Sequence, residues 1–258
     1  MIISFIKYQG AGNDFIMIDD RSVSFDTTNN ELISKLCSRK TGVGADGLIL
    51  LRSHPKLDFE MIYFNADGFL GSMCGNGGRC VVDFAHHLGI INDDCMFMAV
   101  DGFHHAERNA DVVSLEMADV NEIENIGQDF FLDTGSPHYV KMVSSLKDYD
   151  VYQNGKDIRY SSKFEEDGTN VNFVSLEKNV LHIRTYERGV EDETLACGTG
   201  TVASVIALHH QGLLTFTPVK VKALGGDLSV SFQKEGDSYK NIYLTGQAQA
   251  VFKGEISC

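Results

Sequence analysis

Two cysteines stand in matching surroundings. Cys74 is followed by Gly75, Asn76 and Gly77, and Cys197 by Gly198, Thr199 and Gly200. An apolar helical pattern begins after each, carried by Val81, Val82, Phe84, Ala85 and Leu88 in one and Val202, Val205, Ile206 and Leu208 in the other. Gly89 and Gly212 close the two patterns as C′ glycines would, at the same distance from the cysteine (89 − 74 and 212 − 197, both 15). This places each thiol at a helix N-terminus, where the positive end of the dipole favours thiolate and N–H groups without intrahelical acceptors can hold an anion. One such thiol per half of the chain suits a two-base reaction at a single carbon. A thiolate removes a proton from one face while a thiol delivers one to the other, and the stereocentre inverts. An ordinary thiol titrates at ~8.5, so a modest lowering ionises one member near neutrality while its partner keeps its proton. The amides after each cysteine could bind a carboxylate next to the carbanion, each such donor being worth roughly 3–4 kcal/mol of barrier. A lone cysteine at such a position is more often a small core residue; two in the same Cys-Gly-polar-Gly setting point to chemistry.

The elements that must position these thiols read as follows. Met1–Lys7 and Phe15–Asp19 are expected strands around a turn at Gly10–Asn13. Asn30 is the expected N-cap of a helix over Glu31–Lys40. Gly47–Arg52 and Phe59–Asn65 read as strands before the Cys74 helix, and short alternating strands follow near Met96–Val100, His104–Arg108 and Val112–Met117, with Asp101-Gly102 as a hairpin turn. The scheme then repeats. The cysteines lie 123 positions apart (197 − 74), and at that offset Gly12–Phe15 maps onto Gly135–His138, Ala45–Gly47 onto Gly168–Asn170, and Tyr63–Asn65 onto Tyr186–Arg188. A shared offset of this size in 258 residues is what a duplication leaves. The fold class expected is α+β: two pseudo-symmetric domains, each a mostly antiparallel, strand-rich, barrel-like sheet around a central helix. The domains expected are 1–118, joined by a returning C-terminal strand at 250–258, and 119–249.

Composition excludes several classes of function. With 43% hydrophobic residues the chain can bury a normal core, and a net charge of −14 argues against non-specific binding to nucleic acid or anionic membranes. No apolar run approaches a membrane span and the N-terminal run is too short for a signal peptide, so a cytoplasmic protein without disulfides is expected. The histidine pairs 86/87, 104/105 and 209/210 point their members in different directions and have no Cys or carboxylate at ligand spacing, so no metal site is expected. Cys80 reads as packing, and Cys37, Cys95 and Cys258 have no functional reading.

Segments along the whole chain carry a resemblance: Lys7–Phe15, Gly42–Leu48, Phe64–Gly68, Met73–Cys80, Gly135–His138, Asn170–Phe173, Tyr186–Gly189 and Ala196–Thr201. Together, in this order, they resemble the diaminopimelate epimerases of the cofactor-independent epimerase and racemase family. The resemblance implies a substrate cleft between the pseudo-symmetric domains and interconversion of LL- and meso-2,6-diaminopimelate without pyridoxal phosphate or metal, a step toward lysine and peptidoglycan precursors. It implies that Cys74 and Cys197 transfer the protons, with His138 and Glu187 as polar neighbours that tune the thiols. Gly75, Asn76, Gly77, Gly198 and Thr199 would hold the carboxylate at the reacting end. Asn13, Asn65, Asn170, Glu187 and Arg188 would grip the substrate, the last four mainly at its distal amino-acid head. The partner expected is therefore a small molecule; a homodimer is compatible with the sequence, which does not fix the oligomeric state. Two positions depart from the pattern. Ser136 stands where the family usually has Asn, and Phe164–Asp167 lacks the proline many members carry there.

Proline and hydroxyproline racemases of the same superfamily typically carry His where Asn76 stands, and they lack the Asn65 and Arg188 set for a second amino-acid head. Isomerases of the phenazine type lack the cysteine pair. A non-catalytic binding protein or a thiol redox sensor is the reading from a different class. The intact set of Cys74, Cys197, Glu187 and Arg188 weighs against a decayed enzyme.

Overall fold

The structure, a computed structural model, describes residues 2–258; Met1, the first residue of the expected N-terminal strand, lies outside the described residues. The chain divides into two compact units, Met1–Leu115 with Gly246–Cys258, and Glu116–Thr245.

In the first unit β1 (Ile2–Gly10), β2 (Asn13–Asp19), β3 (Gly47–Arg52), β4 (Phe59–Asn65), β5 (Asp94–Ala99), β6 (Gly102–Asn109) and β7 (Val112–Met117) pair in sequence order. The β2–β3 and β4–β5 pairs are parallel and the others antiparallel. On the far side of β1 lies β17 (Gln249–Ser257), antiparallel, with Ile2 opposite Ser257. Residues Gly47–Leu51 of β3 are all buried, which an unbroken apolar strand covered on both faces requires. Leu48 and Leu50 pack with Ile33, Leu36 and Cys37 of α1 (Asn30–Cys37), and Ile49 lies under α2 (Gly75–His87). The first eight residues of α2, Gly75–Val82, are all buried, so it is the central helix of its unit.

The second unit repeats this order, with short additions at β8 (Glu124–Ile126) and β13 (Asp192–Thr194), through β9 (Asp129–Asp133), β10 (Pro137–Met142), α3 (Val151–Arg159), β11 (Asn170–Glu177), β12 (Val180–Glu187), α4 (Gly198–His210), β14 (Val219–Ala223), β15 (Gly226–Glu235) and β16 (Ser238–Gln247). Its β10–β11 and β12–β14 pairs are again the parallel ones. Phe15 pairs with Gly47 in one unit and His138 with Asn170 in the other, each partner 123 positions later (138 − 15 and 170 − 47). Gly198–Leu208 of α4 are buried without a break. The expected α+β class and its duplication hold at the level of strand pairing, a stronger match than the sparse identities between the halves.

Three local expectations shift. The cap of α1 is Asn29, whose side chain accepts from Leu32 N–H at 3.0 Å, and the helix ends at Cys37 rather than Lys40. The β5–β6 hairpin turns one residue earlier, with Ala99 opposite Gly102 and Val100-Asp101 between them. Gly89 and Gly212 do sit just beyond the helix ends, at φ of 68° and 80°.

Candidate active site

Cys74 caps α2 from extended backbone (φ −110°, ψ 112°), and its Sγ accepts from the Gly77 N–H at 3.5 Å. As a thiol it donates to Asn13 Oδ1, also 3.5 Å away. Either protonation state therefore has a partner. Asn13 follows a tight turn in which Ala11 and Gly12 both take positive φ, 52° and 82°, the pattern of a two-residue type I′ hairpin. Asn13 Nδ2 donates to Asp46 Oδ2 at 2.6 Å, which fixes the amide so that Oδ1 points at the thiol. Asp46 is bound by Arg39, which also grips Asp14. Burial alone would raise the Asp14 carboxyl; hydrogen bonds from Arg39 and Lys7 override it and hold the group at about 2. Asn76 Nδ2 reaches the same Asn13 oxygen at 3.4 Å.

Cys197 caps α4 with nearly the same backbone (φ −115°, ψ 117°). Its Sγ lies 3.5 Å from Thr199 Oγ1, and His138 Nε2 lies 2.8 Å from that same hydroxyl. Asn172 Nδ2 donates to His138 Nδ1 at 3.0 Å, so the ring proton is on Nε2 and is donated to Thr199. The Thr199 hydroxyl proton is then directed to the cysteine sulfur. Asn172 is itself fixed, by Nδ2 to the Tyr139 carbonyl (3.1 Å) and by Thr185 Oγ1 to Oδ1 (3.0 Å). Burial, aided by the positive charge of Arg188, pushes the His138 imidazole down to about 3. It is therefore a neutral donor throughout the working pH range rather than a cation beside the thiol.

That shift has a measurable consequence. A histidine in the unfolded chain takes up its proton at ~6.5, whereas folded His138 resists it down to about 3. Between these values the unfolded state binds the extra proton, so stability falls as pH drops through that window. In urea titrations, His138→Gln should lack a component of about 1.4 kcal/mol per pH unit below pH ~6 that wild type shows. Parallel curves for the two proteins would contradict the buried neutral assignment.

The remaining predicted residues fall as follows. Asn170 is buried, with Nδ2 on Ser136 Oγ (2.9 Å) and the Pro137 carbonyl (3.1 Å), and Oδ1 accepting from the Arg188 N–H (2.9 Å). Ser136 thus meets the Asn170 amide with its single hydroxyl. Arg188 is exposed and donates from Nη1 to the Asp167 carbonyl at 2.8 Å. Glu187, at the end of β12, accepts from Thr194 Oγ1 at 2.9 Å. Asn65 is exposed at the end of β4. Gly75 and Gly198 open the two helices, and a Cβ at Gly77 would lie 2.9 Å from Ile49 Cδ1, the end of a flexible side chain. Cys80 is fully buried and its thiol is pushed up by that burial, in keeping with packing.

Arg79 and Asn172 were not singled out from the sequence. For Asn172 a signal was present, a polar side chain between the apolar Val171 and Phe173; Arg79, after Asn76-Gly77-Gly78, gave none. One grouping lies beside a histidine pair. His105 Nε2 lies 2.7 Å from Asp94 Oδ2, and Glu107 completes a group with donor atoms within 4.8 Å of one another. The β5–β6 register assembles it, opposing Asp94 to Glu107, which sequence spacing does not reveal. Both carboxylates are exposed, and no further observation points to a bound cation there.

A family model described as diaminopimelate epimerase matches residues 5–113 and 130–251. A diaminopimelate epimerase of Flavobacterium psychrophilum is 48% identical over 97% of this chain and 98% of its own length. One from Chlorobaculum tepidum is 46% identical over 96% and 99%. Among solved structures, a phenazine biosynthesis protein of the PhzF family from Bacillus anthracis superposes with a TM-score of 0.79 over all of both chains at 14% identity. A hydroxyproline epimerase from Agrobacterium vitis does so with a TM-score of 0.72 over 99% of this chain and 92% of that one, at 15% identity. These two likenesses concern the fold alone.

Proposed function

The chain belongs to the diaminopimelate epimerase family, and from that premise we propose that it interconverts LL- and meso-2,6-diaminopimelate with Cys74 and Cys197 as its two bases. One thiolate takes the α-proton. The electron pair left on carbon is delocalised into the adjacent carboxylate, and the other thiol returns a proton to the opposite face. Each turnover leaves the two sulfurs with their protonation states exchanged; proton exchange with solvent restores the starting form, and the exchanged form is the one suited to the reverse inversion. Two amino-acid side chains carry both proton transfers, and the reading asks for no cofactor.

The observation that carries this reading is that each cysteine caps the N-terminus of its unit's buried central helix and has a partner suited to proton transfer. The first-turn N–H groups of α2 and α4, at Asn76, Gly77, Gly198 and Thr199, are the donors we assign to the reacting carboxylate. Asn13, Asn65, Asn170, Glu187 and Arg188 are the groups we assign to the substrate's other polar atoms. Arg188 is suited to the distal carboxylate because a guanidinium offers two parallel donors. A cytoplasmic location fits a soluble precursor as substrate.

Incubation of reduced enzyme with LL-diaminopimelate in deuterium oxide tests this directly. The expected result is one deuterium at the α-carbon of each inverted product molecule, read by mass and chirality. Exchange with proline and none with diaminopimelate would retain the two-thiol chemistry and overturn the substrate.

A further inference from the structure

Arg79 is fully buried, and its Nε lies in the interior without a hydrogen-bond partner. Nη2 donates to Asn76 Oδ1 at 3.1 Å and Nη1 to the Gly75 carbonyl at 3.3 Å. The sulfurs of Cys80 and Cys74 are the groups whose negative charge would favour it; Cys80 is fully buried with its thiol pushed up and stays neutral, which leaves Cys74 to carry that charge. A buried cation so poorly compensated destabilises a fold unless an anion completes it, and burial accordingly pulls this guanidinium below its ordinary range.

The duplication shows what the residue replaces. At the 123-residue offset Asn76 corresponds to Thr199, Phe15 to His138, Ile49 to Asn172 and Arg79 to Val202. In the second unit the polar residue two after the cysteine is braced from the sheet, by neutral His138 on Asn172. In the first unit the equivalent sheet positions are the buried apolar Phe15 and Ile49, and the brace comes from the helix itself, as Arg79. The two thiols thus have nearly the same backbone cap, one with a buried guanidinium behind its polar neighbour and the other with a neutral imidazole.

We propose that Arg79 is a positioning residue for Cys74: it fixes the Asn76 amide toward Asn13 and supplies the buried positive charge that makes Cys74 the thiolate of the resting pair. Cys197, braced by a neutral ring, keeps its proton until turnover reverses the two. Around α2, Tyr8 of β1 and Arg108 of β6 both bind Asp83 further along the helix; Asp83 acts on Cys80, and Cys80 on Tyr8. Lys7 of β1 is held by Asp14 of β2.

The proposal rests on the assignment of Cys74 as a catalytic thiol, but its test does not depend on turnover. Iodoacetamide labelling of full-length reduced protein is followed against pH, with Cys74 and Cys197 peptides quantified separately by mass. In wild type the pH midpoint for Cys74 is expected below that for Cys197. Equal or reversed midpoints overturn the proposal without any variant having to fold. In Arg79→Met the Cys74 midpoint should rise by roughly 1–3 units while that of Cys197 stays. In Arg79→Lys, which keeps the charge but loses the forked contact, the midpoint should move less while kcat still falls with little change in KM. A folded Arg79→Met protein with an unmoved Cys74 midpoint overturns the electrostatic role. Failure of the catalytic assignment would look different, as a Cys74→Ala protein that still inverts diaminopimelate.

Discussion

Cys74→Ala and Cys197→Ala should each lose inversion, with kcat for epimerisation lowered by roughly 10²–10⁴-fold or more, the range that one positioned acid or base contributes. The loss is not symmetric in its side reactions. A single remaining thiol can still withdraw the α-proton from the face it meets, exchange it with solvent and return it to that same face. Each variant should therefore incorporate deuterium into one epimer without inverting it and leave the other epimer untouched. The two variants should have opposite preferences. A chemistry that placed both protons on one cysteine would instead leave one variant fully competent for inversion, and product chirality after a day of incubation separates the two cases.

Gly200→Ala is expected to be the most damaging small substitution at the site. A Cβ at that position would lie 2.3 Å from Asn172 Oδ1 and 3.2 Å from His138 Cε1. Neither atom can retreat cheaply, because Asn172 is tied to His138, Tyr139 and Thr185, and His138 to Thr199. Overpacking of this kind costs about 1–3 kcal/mol, and breaking the buried polar network adds to that, against ~1 kcal/mol gained from alanine's helix propensity. The duplication supplies its own control. Gly77→Ala, at the equivalent place, has its tight contacts with side-chain ends, Ile49 Cδ1 at 2.9 Å and Met61 Cε at 3.3 Å, and Cys74 Cβ at an ordinary 3.5 Å. Urea unfolding should show Gly200→Ala the less stable of the two by about 1 kcal/mol or more, with the larger fall in kcat. The reverse order would mean that the His138–Asn172–Thr199 network yields easily and does not hold Cys197 in place.

These contrasts mark what sequence could and could not reveal. The helix starts at Cys74 and Cys197, their glycine stops and the 123-residue repeat were legible because each depends on residue type at fixed local spacing. The parallel and antiparallel pairings of each sheet followed only in outline, since register is set by contacts far apart in the chain. The substitution of Phe15 and Ile49 by His138 and Asn172 was visible as letters, but its meaning needed the pairing of Phe15 with Gly47 and of His138 with Asn170. Arg79 was hidden in the cysteine motif itself, where an arginine on a helix reads as a solvated side chain unless the helix is known to be buried all round. The Asp94–His105–Glu107 grouping depends on the hairpin register, which sets Asp94 opposite Glu107 while His105 and Glu107 share β6.

The return of β17 to the side of β1 also sets the order in which the chain can mature on the ribosome. The second unit is complete once Thr245 has emerged, whereas β1, made first, gains its outer neighbour only when Gln249–Ser257 follows. At 5–20 residues per second that leaves the outer edge of β1 open for about 12–50 s of synthesis. An open edge bearing Ile3 and Phe5 is a template for another nascent strand. Loss of the last ten codons would therefore damage the portion of the molecule translated earliest, and a circular permutant that begins with the β17 segment should shorten that exposure and give more soluble protein.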